Sequence, residues 1–392
     1  MARAGDLPGQ KAGREWRFLR RALEDWLASG HGRPTGGRTQ AGTPSYRTNS
    51  LFPADEIPKG KTGFSDSAFT ENRDQPMHRW VPWIAGFSGA FVRDVLGKVP
   101  GDGRRTVLDP FAGVGTTLVE GIRRGFGAVG FEINPYAALA CRVKTRAPAY
   151  DVRRLRERSA ALTDFIAERT ADDSAVPNTK PPEGFKTRVP FYSPSVERQV
   201  LFALDGIAQE SDEWVADFLR VALGATMVGY SNYSYEPSLC RRAVAGKEDV
   251  RDSDVAATLA AKLDEMCTDV AHVQAELAEM NSRPSAKVWL ESYLTGWSRI
   301  RERTIDVVVT SPPYLNNYHY VRNTRPQMYW LGLIADNAEL KAMEQASFGK
   351  FWQTVRAGPV VELNADYPEL ADDPHTPALI GREPAPHPAV RR

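Results

Sequence analysis

The sequence is poor in cysteine: three residues, Cys141, Cys240 and Cys267, in a chain of 392. They are too few and too scattered for a disulfide framework or a zinc site, so no metal centre is expected. No apolar run approaches the roughly 18 residues that would argue for a membrane span. The first residues, MARAGDLPGQKAGREW, have no apolar centre and do not read as a signal peptide. A cytoplasmic protein is therefore expected. An excess of charge is also lacking, with 50 Lys and Arg against 49 Asp and Glu. Net charge predicts neither a nucleic-acid partner nor an acidic substrate, and any basic surface has to be local. With 42% hydrophobic and 10% aromatic residues the chain is neither disordered nor fibrous.

Periodicity divides the chain. Residues 14–28 put Trp16, Leu19, Leu23 and Trp26 at helical spacing, and 31–50 contain no large aliphatic residue. The first fifty residues therefore read as a basic helix and flexible linker, with nine Lys and Arg against four Asp and Glu. Such an arm suits phosphate, or it is a solvated tail. Two strand-turn-helix units follow in RTVLDPFAGVGTTLVEGIRRG and GAVGFEINPYAALACRVK, which argue for a parallel sheet with crossover helices. Residues 51–149 form the first part of this α/β domain. Residues 150–285 carry helical periodicity and read as a mostly helical insertion. Strand character returns in AKVWLES and TIDVVVTSPPY, within 286–356. The tail, 357–392, holds seven prolines and one weak strand, PVVELNA.

Two constellations carry chemistry. In VLDPFAGVGTT an apolar strand ends at Asp109, and Gly113 and Gly115 allow positive φ and close backbone approach before a helix. The Lys-Ser/Thr of a P-loop and the GxGxxG spacing are missing. The second strand ends at Glu132, sixteen residues after Thr116, where an acid can accept from ribose hydroxyls. Turn and acid together fit a nucleoside cofactor without a pyrophosphate, of which S-adenosylmethionine is the obvious candidate. Glycines that serve packing alone are the other reading. In the second constellation, Ser311-Pro312-Pro313-Tyr314 follows a buried-type strand. Two prolines remove two backbone donors and leave carbonyl acceptors, which suits an exocyclic amine. The Ser311 hydroxyl can accept from the same amine, and Tyr314 offers a ring for stacking on a base.

DPFAGVGTT resembles motif I, HRWVPWIAGFSGAFV motif X, and SPPY motif IV of the S-adenosylmethionine-dependent DNA amino-methyltransferases. The resemblance implies a Rossmann-like methyltransferase sheet. It assigns cofactor binding to Asp109, Pro110, Phe111, Ala112, Gly113, Gly115, Thr116, Thr117, Glu132, Asn134 and Phe87. It assigns amine binding to Ser311, Pro312, Pro313 and Tyr314, and its SPPY form implies methylation of cytosine N4 in double-stranded DNA. Transfer is then direct, with the base swung out of the duplex. Adenine N6 is the alternative target. Carbon-5 chemistry is disfavoured, because no cysteine follows a proline. The motif X aromatics Trp80, Trp83, Phe87 and Phe91 equally suit packing under the sheet. The order of motifs makes 150–285 a candidate target-recognition region, with YSNYSYEPSLCRR as an aromatic and arginine-rich nucleic-acid surface or a packed loop. Tyr318, Tyr320, Arg322 and Arg325 are further contact candidates, set against a helix-core reading of Tyr329, Trp330 and Leu331. A restriction-modification setting is implied, with a cognate nuclease or a chain completing the fold as further partners. The family's later strands are not evident in the 78 residues after Tyr314, so missing C-terminal strands, or an inactive remnant that binds cofactor or DNA, are expected alternatives.

Overall fold

Short apolar strands, each followed by a turn and an amphipathic helix, build the sheet that carries the site. The computed structural model describes residues 9–12, 15–18, 72–83, 86–100, 105–235, 238–313, 320–347, 361–362 and 390–391. The chain divides into two compact units, Met1–Thr62 and Gly63–Arg392.

In the first unit, β1 (Gly9–Ala12) pairs antiparallel with β2 (Glu15–Phe18). Four residues of the helix expected over 14–28 are thus extended, and the rest of it lies outside the described residues. Glu15-Trp16-Arg17-Phe18 alternates polar and aromatic residues at the strand period.

In the second unit, α1 (Gly89–Gly97) is capped by Ser88, whose hydroxyl accepts from the Phe91 amide. β3 (Thr106–Asp109) leads through the glycine turn into α2 (Thr116–Arg123). β4 (Gly127–Glu132) leads into α3 (Pro135–Thr145), with Asn134 as N-cap and Pro135 at the first helical position. Four helices follow: α4 (Val152–Ala171), α5 (Pro194–Ala208), α6 (Glu213–Thr226) and α7 (Val255–Glu279). They occupy the stretch expected to be helical, and Asp151, Ser193, Asp212 and Asp254 cap them. A small hairpin, β5 (Tyr233–Tyr235) and β6 (Leu239–Arg241), interrupts them. Along α7, Val255, Leu259, Leu263, Met266, Val270, Val273 and Leu277 are all buried, a stripe at helical spacing. These helices share one hydrophobic core with the sheet, so the helical stretch is no separate lobe.

The chain then returns to the sheet as β7 (Ala286–Leu290), passes through α8 (Tyr293–Gly296), and enters β8 (Val307–Val308). All four strands are parallel, in the order β7-β4-β3-β8. The chain steps outward from β3 and then crosses back to β3's other side. The order reverses between β3 and β8, and open α/β sheets bind ligands at the carboxyl ends beside such a reversal. Two helices follow, α9 (Tyr320–Trp330) and α10 (Asn337–Ala346). β9 (Val361–Glu362), inside the expected weak strand, pairs in parallel with β10 (Val390–Arg391), in a ladder separate from the sheet. Among the described residues the sheet has four strands.

Candidate active site

The turn after β3 demands glycine. Gly115 is the residue before α2, at φ 89°, and a Cβ there would lie 2.7 Å from Cys141 Sγ on α3. A side chain would meet both backbone strain and a clash between two helices. Gly113, at φ 51°, donates its amide to Glu132 Oε2 at 2.8 Å. The other carboxylate oxygen accepts from the Asn134 amide at 2.7 Å. Burial pushes Glu132 up to about 7, against the pull of these backbone donors. The acid at the tip of the second strand is therefore already organised by the glycine loop of the first.

The segment after β8 is tied to the same loop. Thr117 Oγ1 donates to the Val309 carbonyl at 3.1 Å, and Thr310 Oγ1 donates to Asp109 Oδ1 at 2.6 Å. The same carboxylate oxygen accepts from the Phe111 amide at 3.0 Å. Asp109 is fully buried, and burial pushes it up to about 6. These bonds tie the segment that carries Ser311, three residues beyond the strand, to the glycine turn.

A cleft opens at this end of the sheet. Phe87, Pro110, Phe111, Ala112, Gly113, Thr116, Glu132, Asn134, Ser311 and Pro313 line it, all singled out in the sequence. Asp109, Gly115 and Thr117 lie behind the cleft, supporting its wall, and Pro312 is exposed outside it. Tyr314 and Tyr318 lie outside the described residues. Asn134 is engaged structurally: Oδ1 caps α3 through the Tyr136 and Ala137 amides, and Nδ2 donates to Thr324 on α9 at 2.7 Å.

Trp83, Phe131, Tyr293 and Leu294 add apolar walls, and Glu291 a second carboxylate. Neither Lys nor Arg appears among the described lining residues. Such a site offers no cationic side chain to a pyrophosphate, and it suits a cationic nucleoside with a planar base and ribose hydroxyl donors. The residues therefore fit S-adenosylmethionine. Glu291 itself is engaged by the Arg299 guanidinium.

The segment before α1 is split in its roles. Trp80 is fully buried, edge-on to Phe218 at 5.8 Å, whereas Trp83 and Phe87 face the cleft. Two polar side chains hold this segment. Asn72 accepts from the Gly89 amide at 2.8 Å and donates to the Phe87 carbonyl at 3.0 Å. Asp269, on α7, accepts from the Met77 amide at 2.8 Å, from Trp80 Nε1 at 2.9 Å and from Arg79 through two nitrogens. Below them, Glu120 joins His78 at 2.5 Å and Arg93 at 2.8 Å in the interior. Sequence inspection passes over Asn72, Asp269 and Thr310, because their partners are distant in the chain. Tyr293 and Leu294 carried a usable signal, since they follow the third strand's carboxyl end.

The aromatic segment at 230–242 is not a surface for bases. Tyr230 and Tyr233 are buried, and the Tyr235 hydroxyl donates to the Asn323 carbonyl at 3.0 Å. Asn232 joins two loops, donating to the Pro190 carbonyl and accepting from the Val250 amide. Its aromatic character serves packing, the alternative already open in the sequence. Tyr329, Trp330 and Leu331 are buried, as the helix-core reading expects, and Tyr320 lines the cleft.

A parallel sheet of this order, with a glycine turn after its first strand and an acid after its second, is a Rossmann-like methyltransferase arrangement. The sequence matches no protein-family profile. It is similar to Type II methyltransferases. One relative is M.BsoBI of Geobacillus stearothermophilus, 23% identical over 301 residues, covering 71% of this chain and 57% of that protein. Another is M.AvaI of Nostoc sp. and of Anabaena variabilis, 23% identical over 282 residues, with 68% and 56% covered. The chain thus spans little more than half the length of these relatives. Among the described residues no helix is long and apolar enough to cross a membrane, and no metal-holding cluster occurs.

Proposed function

We propose that this chain is the methyl-transferring part of a site-specific DNA methyltransferase that acts on the N4 amine of cytosine, in a restriction-modification setting. One observation carries the reading: Ser311 and Pro313 line the same cleft as the glycine loop and Glu132, at the sheet's switch point. S-adenosylmethionine supplies an electrophilic methyl group when bound. The chain's own contribution is to bind and orient. Glu132 accepts hydroxyl donors, the aromatic walls enclose the base of the cofactor, and the lack of Lys and Arg in the described lining leaves room for its positive charge. Ser311 and the Pro312 carbonyl accept from the target amine, which turns its lone pair out of conjugation with the ring. Most of the rate then comes from orientation and from acceptors facing a nitrogen that gains positive charge. No covalent intermediate is required.

Nucleoside mass spectrometry of DNA from a methylation-free host expressing the chain tests the reading, with Ser311→Ala as the control. N4-methylcytosine with the unaltered chain alone is the expected result. N6-methyladenine would redirect the assignment to adenine. Neither product, from folded protein that binds the cofactor, would reject turnover by this chain.

A further inference from the structure

The molecule has almost no net charge, yet two groups of its basic residues differ in their partners. Along α4, Arg153, Arg154, Arg156 and Arg158 are each matched to a carboxylate: Glu157, Asp212, Asp264 and Glu210. The other set comes from three segments far apart in sequence. Residues 180–191, 238–247 and 320–325 together hold eight Lys and Arg and a single acid, Glu183.

Hydrogen bonds join these segments. The Arg325 guanidinium donates to the Lys186 carbonyl at 3.4 Å and lies over the Phe185 ring. Asn323 accepts from the Leu239 amide at 2.9 Å. The Asn232 amide donates to the Phe191 carbonyl, and the Arg242 amide to the Asn232 carbonyl. Arg325 and Arg242 are thereby used in holding backbone. Lys186, Arg188 and Arg322 are exposed and Arg241 half-buried, and among the described residues none of the four pairs with a carboxylate. The cleft adjoins them: Tyr320 and Val321 line it, and Arg322 is the next residue.

Exposed ion pairs contribute little, so a folded chain gains little by pairing such residues. Four cations left unmatched on joined segments beside the cleft, while four of the five α4 arginines are matched, point to an external anion. We propose that Lys186, Arg188, Arg241 and Arg322 form the face that contacts the phosphates of duplex DNA beside the cleft. The proposal rests on the DNA-methyltransferase reading above. Phosphate contacts set position and orientation and carry no sequence information, so this face needs neither the buried tyrosines nor a base-reading motif.

The test is binding of a random-sequence duplex of about 30 base pairs across a salt series. The quadruple variant Lys186→Ala, Arg188→Ala, Arg241→Ala, Arg322→Ala should bind at least about tenfold more weakly at 0.1 M salt. Its slope of log affinity on log salt should be shallower by about 3 to 4, near 0.9 for each phosphate no longer neutralised. Cofactor affinity and melting temperature should stay unchanged. The charge-keeping variant Arg188→Lys, Arg241→Lys, Arg322→Lys should keep most of the slope. Removing Arg153, Arg154, Arg156 and Arg158 instead takes away equal charge and should change the slope by less than about 1. Unchanged duplex binding by the quadruple variant, from a protein that still methylates DNA, overturns the proposed face and leaves the function standing. An unaltered protein that binds cofactor and not duplex overturns both. Preference for structured RNA with the same slope overturns the choice of duplex DNA.

Discussion

Glu132 shows how one residue's environment sets its pH behaviour. Its folded value, about 7, lies above the ordinary 4.5 because burial disfavours the charged form. Below about pH 4.5 the group is protonated in both folded and unfolded chains. As pH rises toward 7 the unfolded chain loses the proton first, so this residue's contribution to stability falls across that window. The denaturation midpoint of Glu132→Gln should therefore gain on that of the unaltered protein between pH 4.5 and 7. Cofactor affinity of the unaltered protein should rise from pH 6 to 8, as the carboxylate becomes a full acceptor, and stay flat in Glu132→Gln. Isothermal titration at each pH checks both the rise and its absence. The acid at this position was legible from its spacing after the glycine turn. That Gly113 and Asn134 would hold both of its oxygens was not, since those bonds depend on how the two loops meet.

At the scale of elements, the site is assembled by ties between pieces distant in sequence. Asp269, in the middle of α7, holds Met77, Arg79 and Trp80, just before the cleft residues Trp83 and Phe87. Asp269→Asn removes the charged acceptor and leaves interior donors poorly matched, at a cost of about 1.5 to 3 kcal/mol. Urea denaturation should show that loss, and the apparent KM for cofactor should rise more than kcat falls. A smaller effect on KM than on kcat would show that Asp269 does not act through the cofactor wall. Thr310 is a second tie, from the end of β8 to Asp109. Periodicity made the helices and strands legible, since 3.6-residue and two-residue repeats are local properties. It failed at Glu15–Phe18, where a strand occupies part of a helical pattern, because a four-residue stretch fits either period.

For the whole molecule, one core joins the sheet to the helical stretch, so occupation of the cleft should stabilise the entire second unit. At a hundredfold excess over its dissociation constant, S-adenosylmethionine or its demethylated product should add about 2.7 kcal/mol. That corresponds to a melting-temperature rise on the order of 5 °C. ATP should give none, because the described lining of the cleft lacks Lys and Arg. Differential scanning fluorimetry with both ligands separates a site for a cationic nucleoside from a general nucleotide site.

Chain order and residue chemistry alone determined the α/β class, the glycine turn with its paired acid, and the proline-rich acceptor segment after a strand. Each is written in contiguous residues, because backbone freedom at glycine and the missing donors of proline are properties of those residues themselves. Tertiary structure decided which of them meet. It put Ser311 and Glu132 on the lining of one cleft, set Asp109 and Thr117 behind the wall, and buried the tyrosines at 230 and 233. It also joined three basic segments, distant in sequence, into one surface of a nearly neutral chain. Long-range hydrogen bonds and burial, unlike turn chemistry, depend on partners that no local stretch of sequence contains.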